Sequence, residues 1–143
     1  MERVLVDTGF LVALGRARDV NHAAAIDWLQ QSALQLVTVT AVVVETCHFL
    51  VLDSRRTLLD WLANDASAPA VIDVPPQAYS DLVRTMERYK ERDVDFADAA
   101  LVWLAGQTGD RAILTVDEAD FRRFRLKAGA RFELIDWRRV KGL

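Results

Sequence analysis

Cysteine, histidine and long hydrophobic runs are the scarce features of this sequence. Among 143 residues there is one cysteine, Cys47. A single thiol cannot close an internal bridge, so a disulfide scaffold and a cysteine-built zinc site are both excluded. No apolar run approaches the ~20 residues that span a bilayer, and the run ending at Asp7 is too short for a signal-peptide core. A reducing cytoplasm is the expected compartment, with no membrane partner. Repeats, low-complexity tracts and linkers are also missing, so residues 1–143 are expected to form one domain. Hydrophobic residues make up 52% of the chain and charged residues 27%, a composition that supports a proper core rather than disorder.

Positive charge is in short supply overall, and the formal net charge is −3. That balance argues at first against a polyanionic partner, but it hides an asymmetry. From Phe121 to Leu143 eight basic residues face two acidic ones, a net of +6, which leaves the first 120 residues at −9. Such a tail can neutralise phosphates, or simply solvate a terminal surface. Arg122, Arg123 and Arg125 in this tail, with Arg16 near the other end, are the candidate phosphate contacts.

The acids are more informative. Asp7 is the only charge within VLVDTGFLVALG, and Glu45 is the only formal charge between residues 28 and 52. Asp98 immediately precedes the apolar stretch AALVWLAGQTG. A lone carboxylate in an apolar setting costs several kcal/mol or takes up a proton. Chains tolerate that cost where carboxylates share a cation or do chemistry.

Hydrophobic periodicity predicts strands at Val4–Val6, Leu36–Val39, Ala70–Val74, Ala112–Thr115 and Phe132–Ile135. Helices are predicted from Asn21 to Ser32, from Thr40 through Glu45 to about Leu52, and from Ser54 to about Asn64. A long helix is predicted over Gln77–Arg92, and another from Asp95 to Gly106 or Gly109. Alternation of strands and helices points to an α/β sandwich with a mostly parallel sheet. In such sheets ligands bind outside the carboxyl ends of the strands. Asp7 and Asp117 follow two of those ends, while Glu45 and Asp98 sit early in helices that begin at the same edge. The four are therefore expected to converge.

Carboxylates clustered without histidine or cysteine ligands suit Mg²⁺ or Mn²⁺. One or two such ions activate a water and stabilise the leaving oxygen of a phosphodiester. Several residues have plainer readings. Asp7 suits a turn, Asp117 suits a helix cap, and Asp95 reads mainly as the cap of the helix bearing Asp98. Thr8 and Thr115 are candidate supports for the acids. His22 reads as polar surface at a helix start, and His48 as a core or interface residue. Cys47 reads as a small buried hydrophobe, and Trp28 and Trp103 as core or interface.

Four segments taken together resemble the PIN-domain ribonucleases, specifically the small VapC-like toxins. VLVDTGFLVAL is similar to the opening motif, with its aspartate at Asp7, and TAVVVETCHFL to the second, with its glutamate at Glu45. DFADAALVWLA resembles the third motif through Asp98, and ILTVDEADF the fourth, with Asp117 or Asp120 as its acid. The resemblance implies a three-layer α/β/α fold with a central parallel sheet of about five strands. It implies Asp7, Glu45, Asp98 and Asp117 as catalytic and metal-binding residues, with Mg²⁺ or Mn²⁺ as cofactor. It further implies hydrolysis of RNA, a cytoplasmic homodimer and a small inhibiting antitoxin. A PIN-like nuclease of RNA maturation and a catalytically silent binding module are the alternatives. A haloacid-dehalogenase-like phosphatase would want an aspartate two residues after Asp7, where Gly9 stands.

Overall fold

The fold is described from a computed structural model, over residues 3–138. Strands β1 (Arg3–Val6), β2 (Gln35–Val39), β3 (Ala70–Ile72), β4 (Ala112–Leu114) and β5 (Glu133–Leu134) form one sheet in the order β3-β2-β1-β4-β5. Every pairing among the described strands is parallel, so the sheet goes beyond the mostly parallel expectation. Parallel neighbours need crossovers, and helices supply them. Seven are described: α1 (Thr8–Gly15), α2 (His22–Gln31), α3 (Thr40–Phe49), α4 (Leu52–Asn64), α5 (Tyr79–Arg88), α6 (Phe96–Thr108) and α7 (Glu118–Arg123). The result is a three-layer α/β/α sandwich.

Burial on both faces explains the composition of the central strands. Val4, Leu5 and Val6 of β1, and Ala112, Ile113 and Leu114 of β4, are all buried, a near-continuous apolar run rather than an alternation. Phe10, Leu11, Leu101 and Leu104 pack against them, and Phe10 stacks edge-on with Trp28 and Trp137. No described helix is long and apolar enough to cross a membrane.

Several boundaries differ from expectation, each for a local reason. The apolar stretch after Asp7 is not a turn alone but the helix α1. Its residues are apolar nearly all round, so no amphipathic period marks it. Thr40 is the first residue of α3 rather than its cap, because its hydroxyl donates to Asp73 instead. Helix α3 stops at Phe49, and α4 begins at Leu52, before Ser54. The Arg55 guanidinium donates to the Leu50 carbonyl at 2.8 Å and fixes the corner between them. The predicted helix over 77–92 is broken into a 3-10 turn at Pro76–Ala78, α5, and a second turn at Lys90–Arg92. Tyr89 leaves helical geometry at φ −116° and packs on Phe124, and Asp93 adopts φ 51°. His48 is exposed rather than in the core, and Cys47 is half-buried against it.

The strand order places a switch point between β1 and β4. From β1 the chain moves outward one way through β2 and β3, then returns to β4 on the other side. The crevice beyond the carboxyl ends of β1 and β4 is where such sheets bind ligands.

Candidate active site

Asp7 follows β1 directly and caps α1. Its Oδ1 accepts from the Thr8 N–H at 2.7 Å, and its own N–H donates to the Leu114 carbonyl of β4 at 3.0 Å. The Asp7 Oδ2 accepts from the Thr115 hydroxyl at 2.7 Å, and the Thr115 oxygen accepts from the Asp117 N–H at 2.9 Å. Thr115 therefore ties the first acid to the loop bearing the fourth. Gly9 is needed for the approach of that loop, since a Cβ there would lie 2.3 Å from Val116 Cγ2.

Helix α6 carries the third acid. Asp95 is its cap, and its carboxylate accepts from the Asp98 N–H at 2.9 Å, as the sequence predicts. Helix α3 carries Glu45 near its middle rather than in its first turn. Despite separations of up to 110 residues, Asp7, Glu45, Asp98 and Asp117 all line one cavity of about 430 Å³, together with Thr8 and Asp95. Arg16 lines its rim and donates to the Phe49 carbonyl. Glu45 and Asp95 also border a neighbouring hollow of about 770 Å³ that includes Tyr79 and Phe96.

The electrostatics show what the cavity lacks. Asp7 is only 5% exposed, and among the described residues none of the four acids forms an ion pair. Burial pushes the Asp7 carboxyl up to about 6; hydrogen bonds from Thr115 and Thr8 oppose the rise, and the charges of Glu45 and Asp117 add to it. Asp98 is pushed up to about 8, first by burial and then by the charges of Asp7, Asp95, Asp117 and Glu45. Asp117 is also raised, by burial and by Asp120, with Arg92 pulling the other way. Burial and mutual repulsion disfavour full ionisation of these carboxylates, and a bound cation would relieve both. The buried Thr8 hydroxyl oxygen has no hydrogen-bond partner either. An all-oxygen donor set with unbalanced negative charge fits a hard divalent cation.

Asp120 is the alternative fourth acid. One carboxylate oxygen from each of Asp98, Asp117 and Asp120 lies within 4.8 Å of the other two. Asp120 is nevertheless occupied, since its Oδ1 accepts from Arg92 Nε at 3.0 Å. Arg92 had no signal in the sequence, because only the fold brings it across 28 residues to Asp120. Asp117 stands at the N-cap position of α7 without a geometric side-chain cap bond, and the Asp120 backbone N–H still lowers its carboxyl.

The basic tail is partly committed to structure. The Arg125 guanidinium donates to the carbonyls of Arg122 and Arg123 at 2.9 Å each, closing the end of α7. Arg138 pairs with Glu118 at 2.9 Å, and Arg122 lies 3.9 Å from the same residue. Arg122 and Arg123 are exposed, while Arg139 and Lys141 lie outside the described residues.

The profile of the PIN domain family matches residues 4–127. This chain belongs to the PIN-domain family. It is 30% identical over 136 residues to Ribonuclease VapC26 of Mycobacterium tuberculosis (strain ATCC 25618 / H37Rv), covering 92% of this chain and 99% of that protein. Its fold matches the crystal structure of the M. tuberculosis VapC20 toxin, described as cleaving the sarcin-ricin loop. The TM-score is 0.71 and the identity 21%, over 82% of this chain and 93% of that one.

Proposed function

We propose that this PIN-domain chain is a metal-dependent endoribonuclease, the toxin of a toxin–antitoxin pair, acting as a single domain over residues 1–143. The observation that carries the reading is the convergence of Asp7, Glu45, Asp98 and Asp117 on one cavity, none of them in an ion pair among the described residues. Its near full-length likeness to Ribonuclease VapC26 supports RNA as the substrate.

Asp7, Asp98 and Asp117 would hold Mg²⁺ or Mn²⁺, with Glu45 completing the acidic wall and the Thr8 hydroxyl oxygen available beside them. A bound ion of this kind supplies an activated water and stabilises charge on the leaving oxygen. The residues of the chain do the rest. Thr115 keeps Asp7 in place, and Asp95 orients the start of α6 so that Asp98 faces the cavity. Val20, Phe49 and Val116 line the same cavity and are exposed, offering apolar surface to unstacked bases. Arg16, Arg122 and Arg123 are assigned to the RNA backbone, and of these Arg122 and Arg123 are the more exposed, while Arg125 is committed to the end of α7. A small antitoxin, a homodimer and a cytoplasmic setting belong to the same reading.

The test is incubation of purified protein with total RNA and Mg²⁺ or Mn²⁺, with mapping of the new ends. Wild type is expected to cut at discrete sites, while Asp7→Asn and Asp98→Asn, both folded, do not. Equal cutting by either variant would remove that acid from the chemistry.

A further inference from the structure

Beside the four acids of the family motif stands Asp120, and the structure shows a second partner for it. Asp98, Asp117 and Asp120 lie close enough to hold a cation between them. Yet Asp120 already faces a cation, the Arg92 guanidinium, through Nε–H···Oδ1 at 3.0 Å. Both side chains are largely covered, at 34% and 21% exposure, unlike the exposed Arg56–Asp53 contact.

Arg92 is held for this task by its own surroundings. It ends the turn Lys90–Arg92, and its N–H donates to the Tyr89 carbonyl at 2.9 Å. The Tyr89 hydroxyl in turn accepts from the Arg125 N–H at 2.8 Å, and its ring packs on Phe124 at 5.0 Å. Tyr89 and Arg92 thus clamp the segment leading into α6 against α7 at both ends of that short helix. The first segment leads to Asp95 and Asp98, and α7 carries Asp120 next to Asp117.

We propose that Arg92 is a positioning residue that withdraws Asp120 from the metal set, leaving Asp117 as the single fourth acid. The proposal rests on the metal reading of the site. Arg92 acts through its pair with Asp120, and its charge also reaches Asp117. Its removal would free a carboxylate within reach of Asp98 and Asp117, so the site would gain a donor and a negative charge.

Calorimetric titration of the full, metal-stripped chain with Mn²⁺ tests this, with folding of each variant checked by thermal melting. In the wild-type background, Asp117→Asn is expected to weaken Mn²⁺ about tenfold or more, and Asp120→Asn to change it little. Arg92→Gln is expected to tighten Mn²⁺ binding several-fold or to add a second ion. Arg92→Gln/Asp120→Asn should return to wild-type binding, and Arg92→Lys should stay near it. An Asp120→Asn loss as large as that of Asp117→Asn would overturn the proposal, as would an unchanged Arg92→Gln. Should Arg92→Gln fail to fold, the Asp120→Asn and Asp117→Asn pair still decides between the two acids. A wild-type chain that binds no Mn²⁺ would instead overturn the metal reading itself.

Discussion

At the scale of single residues, the protons on Asp7 and Asp98 govern the behaviour of the metal-free chain. Their carboxyls rise from 3.8 to about 6 and about 8 in the fold. Between those values and 3.8 the native state holds protons that the unfolded chain has released, so unfolding free energy falls as pH rises. The stability due to protonation is complete below 3.8 and is lost as pH passes through about 6 for Asp7 and about 8 for Asp98. Melting of the chain in EDTA should therefore show a falling Tm from about pH 5 to about pH 8. Asp98→Asn should show a smaller fall. Mn²⁺ competes with the same protons, so its affinity should increase over that range. A flat Tm in EDTA, equal to that of Asp98→Asn, would contradict the unbalanced charge.

Thr115 gives a second prediction at this scale. Thr115→Val leaves Asp7 Oδ2 and the Asp117 N–H without their partner, a cost of about 1–3 kcal/mol. Thr115→Ser keeps the hydroxyl. Chemical denaturation should rank wild type and Thr115→Ser together, with Thr115→Val below, and cleavage should follow the same order. Three of the four principal acids were legible because each stands alone in an apolar run, a pattern that burial makes costly, and Asp117 because it follows the end of a predicted strand. Arg92 was not legible, since its role depends on a contact that no sequence spacing announces. Nor was the exposure of His48, since an apolar neighbourhood in sequence says nothing of which helix face meets solvent.

At the scale of elements, two local devices aim the acids. The Asp95 cap organises the first turn of α6. Asp95→Ala should lower stability by about 1 kcal/mol, and Asp95→Asn, which still accepts from the Asp98 N–H, should lower it less. Equal losses in denaturant melts would show that the cap does not matter. The second device is the close fit of α1 to the loop after β4. Gly9→Ala forces Val116 aside and with it the loop of Asp117, so stability and cleavage should both fall. Val116→Ala in the same chain makes room and should restore part of each. Helix α1 itself was illegible, because an element buried all round carries no 3.6-residue period. The break at Tyr89 was hidden as well, because its ring packs on Phe124, just past α7, and no local breaker marks it.

At the scale of the whole molecule, the fold turns a sequence with net charge −3 into a surface with two characters. The acidic cavity sits at the switch point between β1 and β4, and exposed arginines of the tail follow from α7. The five strands and the mostly parallel sheet were legible, because short β-type runs alternate with helical stretches, but their order was not, since several orders fit the same alternation. The share of the tail available to RNA was not. Arg125 and Arg138 spend their charge on α7 and Glu118, which the composition of the tail does not reveal.

The central claim is that four carboxylates from separate parts of the chain form one metal-dependent ribonuclease centre. The most direct measurement is the rate of RNA cleavage by the metal-stripped wild-type chain as Mn²⁺ is added back. The account predicts no cleavage in EDTA and a saturating rise with Mn²⁺ that Asp98→Asn lacks. Cleavage that persists undiminished in EDTA would contradict it.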